Sequence, residues 1–321
     1  MSESQTASGV DGGSTGTAHR PSMPLAVLRL LRPTQWTKNG LLFLAFAFSL
    51  NLHWDLDDSA AALRLLLQAA TGAAIYVGLS GATYIINDII DADRDRAHPT
   101  KRTRPIAAGY VTPVVGGLVS AMMLAVCLGG AFAMSWLMGL IAVGYVGLTI
   151  SYSALLKNVV IIDVMAVAAA YLIRVMAGAV AIDVPISPWL YVCTTLGALL
   201  IAIGKRHGEV GLMEDGASDH RDTLDHYSLP LLNKMIAVVA LSALMAYALY
   251  TFTAPNLPDQ MMLTIPFMIY GVFRYIQLVR LGHITGEPER VLLQDKPMML
   301  AVITWMVAVI AILIIFPRPP L

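Results

Sequence analysis

The chain has 321 residues, 57% of them hydrophobic and 13% charged, and a mean hydropathy of +0.69. Soluble domains carry about 25% charged residues, so an ordinary water-soluble globule is excluded. Lys plus Arg and Asp plus Glu both number 21, and a net charge of zero leaves no electrostatic footprint for nucleic acid.

Residues 1–23 are rich in Ser, Gly and Thr. They cannot bury enough apolar surface to offset the entropy of ordering, so a disordered tail is expected. A cleavable signal needs an apolar core soon after a basic start, and the first apolar run begins only near Gly40. The remainder, 24–321, reads as one membrane-embedded domain.

Nine apolar stretches follow, at 39–53, 62–87, 111–133, 135–153, 159–181, 187–204, 231–252, 261–281 and 298–316. A helix needs about 20 residues to cross the hydrocarbon core, so the expected fold is an all-α polytopic bundle of nine transmembrane helices, the first of them short. Pro33, Pro105, Pro113, Pro185, Pro188, Pro255, Pro258 and Pro297 fall at or near the ends, where a missing N–H is tolerated. With the N-terminus inside, Arg29, Arg32, Lys38, Lys157, Lys205, Arg206, Arg221, Arg280, Arg290 and Lys296 all lie on the cytoplasmic side, as basic residues do in cell membranes. Cys127 and Cys193 sit in apolar runs and read as small hydrophobes. Seventeen Met and many small side chains permit close helix contacts and leave a homo-oligomer open.

Charge gathers in two islands on that side, 88–104 and 205–225, each with nine charged residues, and both could sit over one opening. The first begins while the second span is still helical. At about 100° per residue, Asn87, Asp91, Asp95 and Asp88 share one face and Asp93 points elsewhere. Three carboxylates on one face repel unless something cationic sits among them. Oxygen ligands suit Mg²⁺, which is usually shared between one or two carboxylates and substrate phosphates. Lys101, Arg102 and Arg104 follow directly; they suit a metal-bridged polyphosphate, or else simply obey the positive-inside rule.

The second island opens Gly204-Lys205-Arg206-His207-Gly208-Glu209, and the polar run 221–227 is expected as a helical cap. Asp215 and Asp219 read as surface. Arg174 lies deep in the fifth span, and intramembrane charge is costly, so it faces either a functional cavity or a structural partner, Asp163.

Asn87-Asp88-x-x-Asp91-x-x-x-Asp95, at the inner end of the second span, resembles the Asp-rich motif of the UbiA superfamily of intramembrane prenyltransferases. The second Asp-rich motif usual there is replaced by Gly204-Lys205-Arg206-x-x-Glu209 and Arg221-x-x-Leu224-x-x-Tyr227. With Leu31-Arg32-Pro33-x-Gln35-Trp36-x-Lys38-Asn39, this looks like the superfamily's decaprenyl-phosphate phosphoribosyltransferase branch. The resemblance implies phosphoribosyl pyrophosphate as donor, a polyprenyl phosphate as acceptor, and a place in making an arabinose donor for the cell envelope. It further implies Mg²⁺ on Asn87, Asp88, Asp91 and Asp95, with those three carboxylates as the catalytic groups. Lys38, Tyr84, Lys101 and Arg104 are expected on donor phosphates. Tyr152, Lys157, Lys205 and Arg206 are expected on the lipid phosphate and in site closure, with Arg174, Glu209 and Arg221 as further binding residues. The rival readings are an ordinary prenyl transfer from a prenyl diphosphate and a cation-coupled transporter.

Overall fold

The computed structural model describes residues 22–50, 53–54, 57–97, 101–214, 224–254, 257–282 and 294–316. These residues form helices, with no β-strand among them: α1 (Met23–Leu30), a 3₁₀ segment (Pro33–Leu42), α2 (Phe43–Phe48), α3 (Ser59–Ile90), α4 (Ala92–Ala97), α5 (Pro113–Met134), α6 (Trp136–Ala154), α7 (Ile162–Ala181), α8 (Pro188–Glu214), α9 (Leu229–Thr253), α10 (Ile265–Arg280) and α11 (Lys296–Ile315). The expected tail falls almost wholly outside the described residues, and so do Asp215, Asp219, Arg221 and Arg290.

Helix starts are encoded locally. Asp58, Thr112, Ser135 and Asp295 precede α3, α5, α6 and α11, and each side chain accepts from a backbone N–H three residues on. These bonds satisfy donors that a first turn leaves orphaned. Pro113 and Pro297 occupy first-turn positions, where no intrahelical bond is lost.

Eight described helices are long and apolar enough to cross a membrane, the 3₁₀ turn Asp259–Thr264 being counted with α10. They answer to the second through ninth expected spans. The sixth runs further than expected, to Glu214, so Lys205, Arg206 and Glu209 stand on a helix. The first expected span, 39–53, departs most: it is a ten-residue 3₁₀ segment followed by the six residues of α2. Polar Gln35, Lys38 and Asn39 lie inside that segment. At about 2.0 Å rise per 3₁₀ residue and 1.5 Å per α residue, Pro33–Phe48 is about 29 Å long if straight. It therefore has the length of a span without the residue count.

Outward faces are apolar at helical spacing. On α5, Val114, Leu118, Met122 and Val126 are each more than 60% exposed, a stripe that suits acyl chains and would aggregate in water. Inward, association in lipid relies on close packing of small residues. The 3₁₀ segment ends against α7 at Gly178, where a Cβ would collide with the Leu42 carbonyl. Gly178→Ala is expected to cost about 1–3 kcal/mol of stability. The unfolding midpoint in detergent should fall, and an unchanged midpoint would show that this crossing can open without strain.

Candidate active site

α3 ends at Ile90, yet the chain stays nearly helical through Asp91. The Asp91 N–H donates to the Asn87 carbonyl (2.9 Å) and the Asp95 N–H to the Asp91 carbonyl (2.8 Å). That continuity keeps Asn87, Asp91 and Asp95 on one face into α4, as the spacing predicts. Asp88 and Asp95 are buried, while the Asp93 side chain is 95% exposed and, among the described residues, pairs with Arg96.

The three carboxylates do not stand unpaired. Arg32 donates to Asp88, and Arg104 Nη1 bridges Asp95 Oδ2 (2.6 Å) and Asp88 Oδ1 (3.3 Å). Lys157 Nζ, in the 3₁₀ turn Leu156–Asn158 between α6 and α7, lies 2.8 Å from Asp91 Oδ1. Three cations from three segments thus balance three anions. The Arg32 guanidinium also sits 5.0 Å over the Tyr84 ring, and its backbone is left-handed (φ 47°) directly before Pro33. The expected set omitted Arg32, although its place in Leu31-Arg32-Pro33 was a usable signal.

The donors available to a metal are oxygens only. Among the described residues no three His, Cys, Asp or Glu side chains converge to cage an ion unaided. This set fits a hard ion that takes one or two carboxylates and completes its shell with water and phosphate oxygens.

The second island meets the first across the same α6–α7 corner. Arg206, 2% exposed on α8, donates Nη2 to the Tyr152 hydroxyl at the end of α6 (2.9 Å), pairs with Glu209, and places Nε 2.6 Å from Asp163 Oδ2. With its nitrogens engaged by protein, Arg206 holds the corner rather than presenting a free guanidinium. Neighbouring Lys205 is half-buried and makes no ion pair with any described residue. Lys38 and Lys101 are half-buried beside the stripe's own segments. The expected cap is described only from Leu224, as a single 3₁₀ turn, Leu224–His226; Arg221 lies outside the described residues.

Arg174 does not pair with Asp163. Eleven residues separate them by about 16 Å along α7, and Asp163 is taken by Arg206 and by the Tyr227 hydroxyl (2.7 Å). Arg174 instead donates to Asn39 Oδ1 (3.0 Å), the Ala170 carbonyl (2.8 Å) and the Tyr145 hydroxyl (2.7 Å). It ties the 3₁₀ segment to α6 and α7. Asn39 Nδ2, the Tyr76 hydroxyl and Asp163 Oδ2 have no hydrogen-bond partner among the described residues, although Asp163 Oδ2 is ion-paired with Arg206. Arg274, in the C-terminal half of α10, pairs with Asp295 at the start of α11 (2.6 Å).

Sequence and fold comparisons place the chain among known proteins. The decaprenyl-phosphate phosphoribosyltransferase of Mycobacterium tuberculosis is 30% identical over 285 residues, covering 88% of this chain and 92% of that protein. That of Mycolicibacterium smegmatis is 30% identical over 292 residues, covering 87% and 89%. A UbiA homolog from Archaeoglobus fulgidus, solved bound to DMAPP and Mg²⁺, superposes with a TM-score of 0.68 at 17% identity, covering 91% of this chain and 99% of that one. The signature of the UbiA prenyltransferase family matches residues 40–283. This multi-pass membrane chain belongs to the UbiA prenyltransferase family.

Proposed function

We propose that the chain transfers 5-phosphoribose from phosphoribosyl pyrophosphate to a polyprenyl phosphate of the decaprenyl type, releasing pyrophosphate, at a site facing the cytoplasm in the cell's inner membrane. The observation that carries this reading is the α6–α7 corner: Lys157 reaches Asp91 in the acidic stripe, and Tyr152 receives Arg206 from the basic island. One end of the bundle therefore brings the carboxylates together with the basic residues of both islands. Arg32, Arg104 and Lys157 balance the stripe, and Lys38, Lys101 and Lys205 add positive charge for a donor's separate 5-phosphate and a lipid phosphate. The names of the two phosphoribosyltransferase relatives point to the same substrates.

Asp91 and Asn87, with Asp88 and Asp95 directly or through water, would hold Mg²⁺, which supplies neutralisation of the departing pyrophosphate. Lys38, Tyr84, Lys101 and Arg104 bind and orient the donor's phosphates. Lys205, with Lys157 close to the stripe, takes the lipid phosphate, while Arg206, Tyr152 and Glu209 fix the corner that carries them. The lipid phosphate is already an anion, so no residue is needed as a general base. Its oxygen attacks C1 opposite the leaving group and inverts the anomeric centre. The polyprenyl tail runs sideways between apolar helices into lipid.

Purified protein in lipid nanodiscs, given ribose-labelled donor and decaprenyl phosphate, should form a lipid-extractable ribose phosphate. EDTA should stop the reaction and Mg²⁺ restore it. Turnover of a prenyl diphosphate, with no labelled lipid from phosphoribosyl pyrophosphate, would overturn the reading in favour of ordinary prenyl transfer.

A further inference from the structure

Tyr227 belongs to neither the stripe nor the cations, yet its hydroxyl joins the segments that carry both. It accepts from the Ile161 N–H (2.7 Å) and donates to Asp163 Oδ1 (2.7 Å). Asp163 is fully buried in the first turn of α7, where the helix N-terminus favours its charge, and its other oxygen lies 2.6 Å from Arg206 Nε, an ion pair without hydrogen-bond alignment.

Ile161 has φ 71° and ψ −46°, a conformation that a β-branched residue keeps only when its surroundings impose it. The residue is 53% exposed, so side-chain packing does little to impose it. Its backbone is held on both sides, the carbonyl accepting from the Val164 and Met165 N–H groups at the start of α7 and the N–H donating to Tyr227. Four residues upstream is Lys157, the partner of Asp91; two downstream is Asp163, the partner of Arg206.

Tyr227 is itself well fixed. Its N–H closes the 3₁₀ turn onto the Leu224 carbonyl (3.0 Å), and Leu224 and Tyr227 pack in a core with Val164 and Ile203. Burial pushes the Tyr227 hydroxyl up to about 12, so it remains a donor at any physiological pH.

We propose that Tyr227 and Asp163 are positioning residues: a buried latch that sets the α6–α7 corner, and through it Lys157 and Arg206, without touching substrate. It follows that the segment leading into α9 determines whether the two charged islands are assembled into one site. The inference rests on the proposed reaction for its main readout and on the geometry for a second.

Tyr227→Phe keeps the ring and its packing while deleting both hydrogen bonds. Transfer from phosphoribosyl pyrophosphate to decaprenyl phosphate should fall about 10-fold or more in kcat/KM per folded molecule, over and above the lower thermal midpoint that the loss of two buried hydrogen bonds brings. Asp163→Asn should also lose activity, and the double variant should lose no more than the worse single one, because both act through one unit. A purely structural role would lower the midpoint and leave kcat/KM per folded molecule intact, which overturns the latch. So would losses that multiply in the double variant. If the wild-type chain makes no labelled lipid, the proposed reaction fails by itself. The latch is then read from protection against thermal unfolding by inorganic pyrophosphate with Mg²⁺: about 10-fold more pyrophosphate should be needed in Tyr227→Phe, and equal protection would overturn it.

Discussion

Asp91→Asn should lower kcat/KM for phosphoribosyl transfer about 100-fold or more, whereas Asp93→Asn should leave it unchanged. The two carboxylates are two residues apart but differ in placement. Asp91 lies on the stripe, 2.8 Å from Lys157 and 15% exposed; Asp93 is 95% exposed on the opposite side. Asparagine keeps the size and one oxygen of Asp91 but removes the charge that holds both Lys157 and a metal. The Lys157 side chain, 5% exposed, would then lose its ion pair with Asp91. Lysine can shed a proton when buried, so the loss should register in activity more than in stability. Rates measured on folded, monodisperse protein check this, and equal rates for the two variants would remove Asp91 from the chemistry.

Arg206→Gln should have the larger effect on stability. Asp163 is fully buried and its Oδ2 faces Arg206. Removing the guanidinium strands that charge, and breaking one side of a buried pair costs about 3–5 kcal/mol. Arg206→Gln/Asp163→Asn removes both charges and should recover part of the loss. Denaturant titration in micelles reads this directly. A single variant as stable as wild type would mean that Asp163 is neutralised by something other than Arg206. Lys205→Ala, one residue away, breaks no ion pair with a described residue and should spare stability while weakening the use of the lipid phosphate. A KM for decaprenyl phosphate that stays at the wild-type value would take Lys205 out of acceptor binding.

The membrane spans were legible because their signal is compositional and local: runs of 20 apolar residues closed by Ser, Thr, Asp and Pro. The short first segment was not, since a ten-residue 3₁₀ stretch has no distinct hydrophobic period and its stabilising contacts come from α7 and Arg174. The acidic stripe was legible because Asn87, Asp91 and Asp95 repeat at helical spacing over nine consecutive residues. Its partners were less so. Arg32 and Lys157 stand 56 and 66 residues from the carboxylates they meet, and no periodicity links them. The same limit left Asp163 open as a partner for Arg174, eleven residues along α7, whereas its neighbours in space are Arg206 and Tyr227. Pattern at helical spacing therefore located the acidic stripe, while the pairing between helices had to be seen in the fold.

Calorimetric titration of the nanodisc-embedded chain with phosphoribosyl pyrophosphate, in the presence and absence of Mg²⁺, measures the grip of the stripe without requiring turnover. Wild type should bind the donor only when Mg²⁺ is present, and Asp91→Asn should lose that metal-dependent binding while Asp93→Asn keeps it. Binding of equal strength in EDTA, or unaltered in Asp91→Asn, would contradict a metal-held diphosphate at the Asn87–Asp95 face.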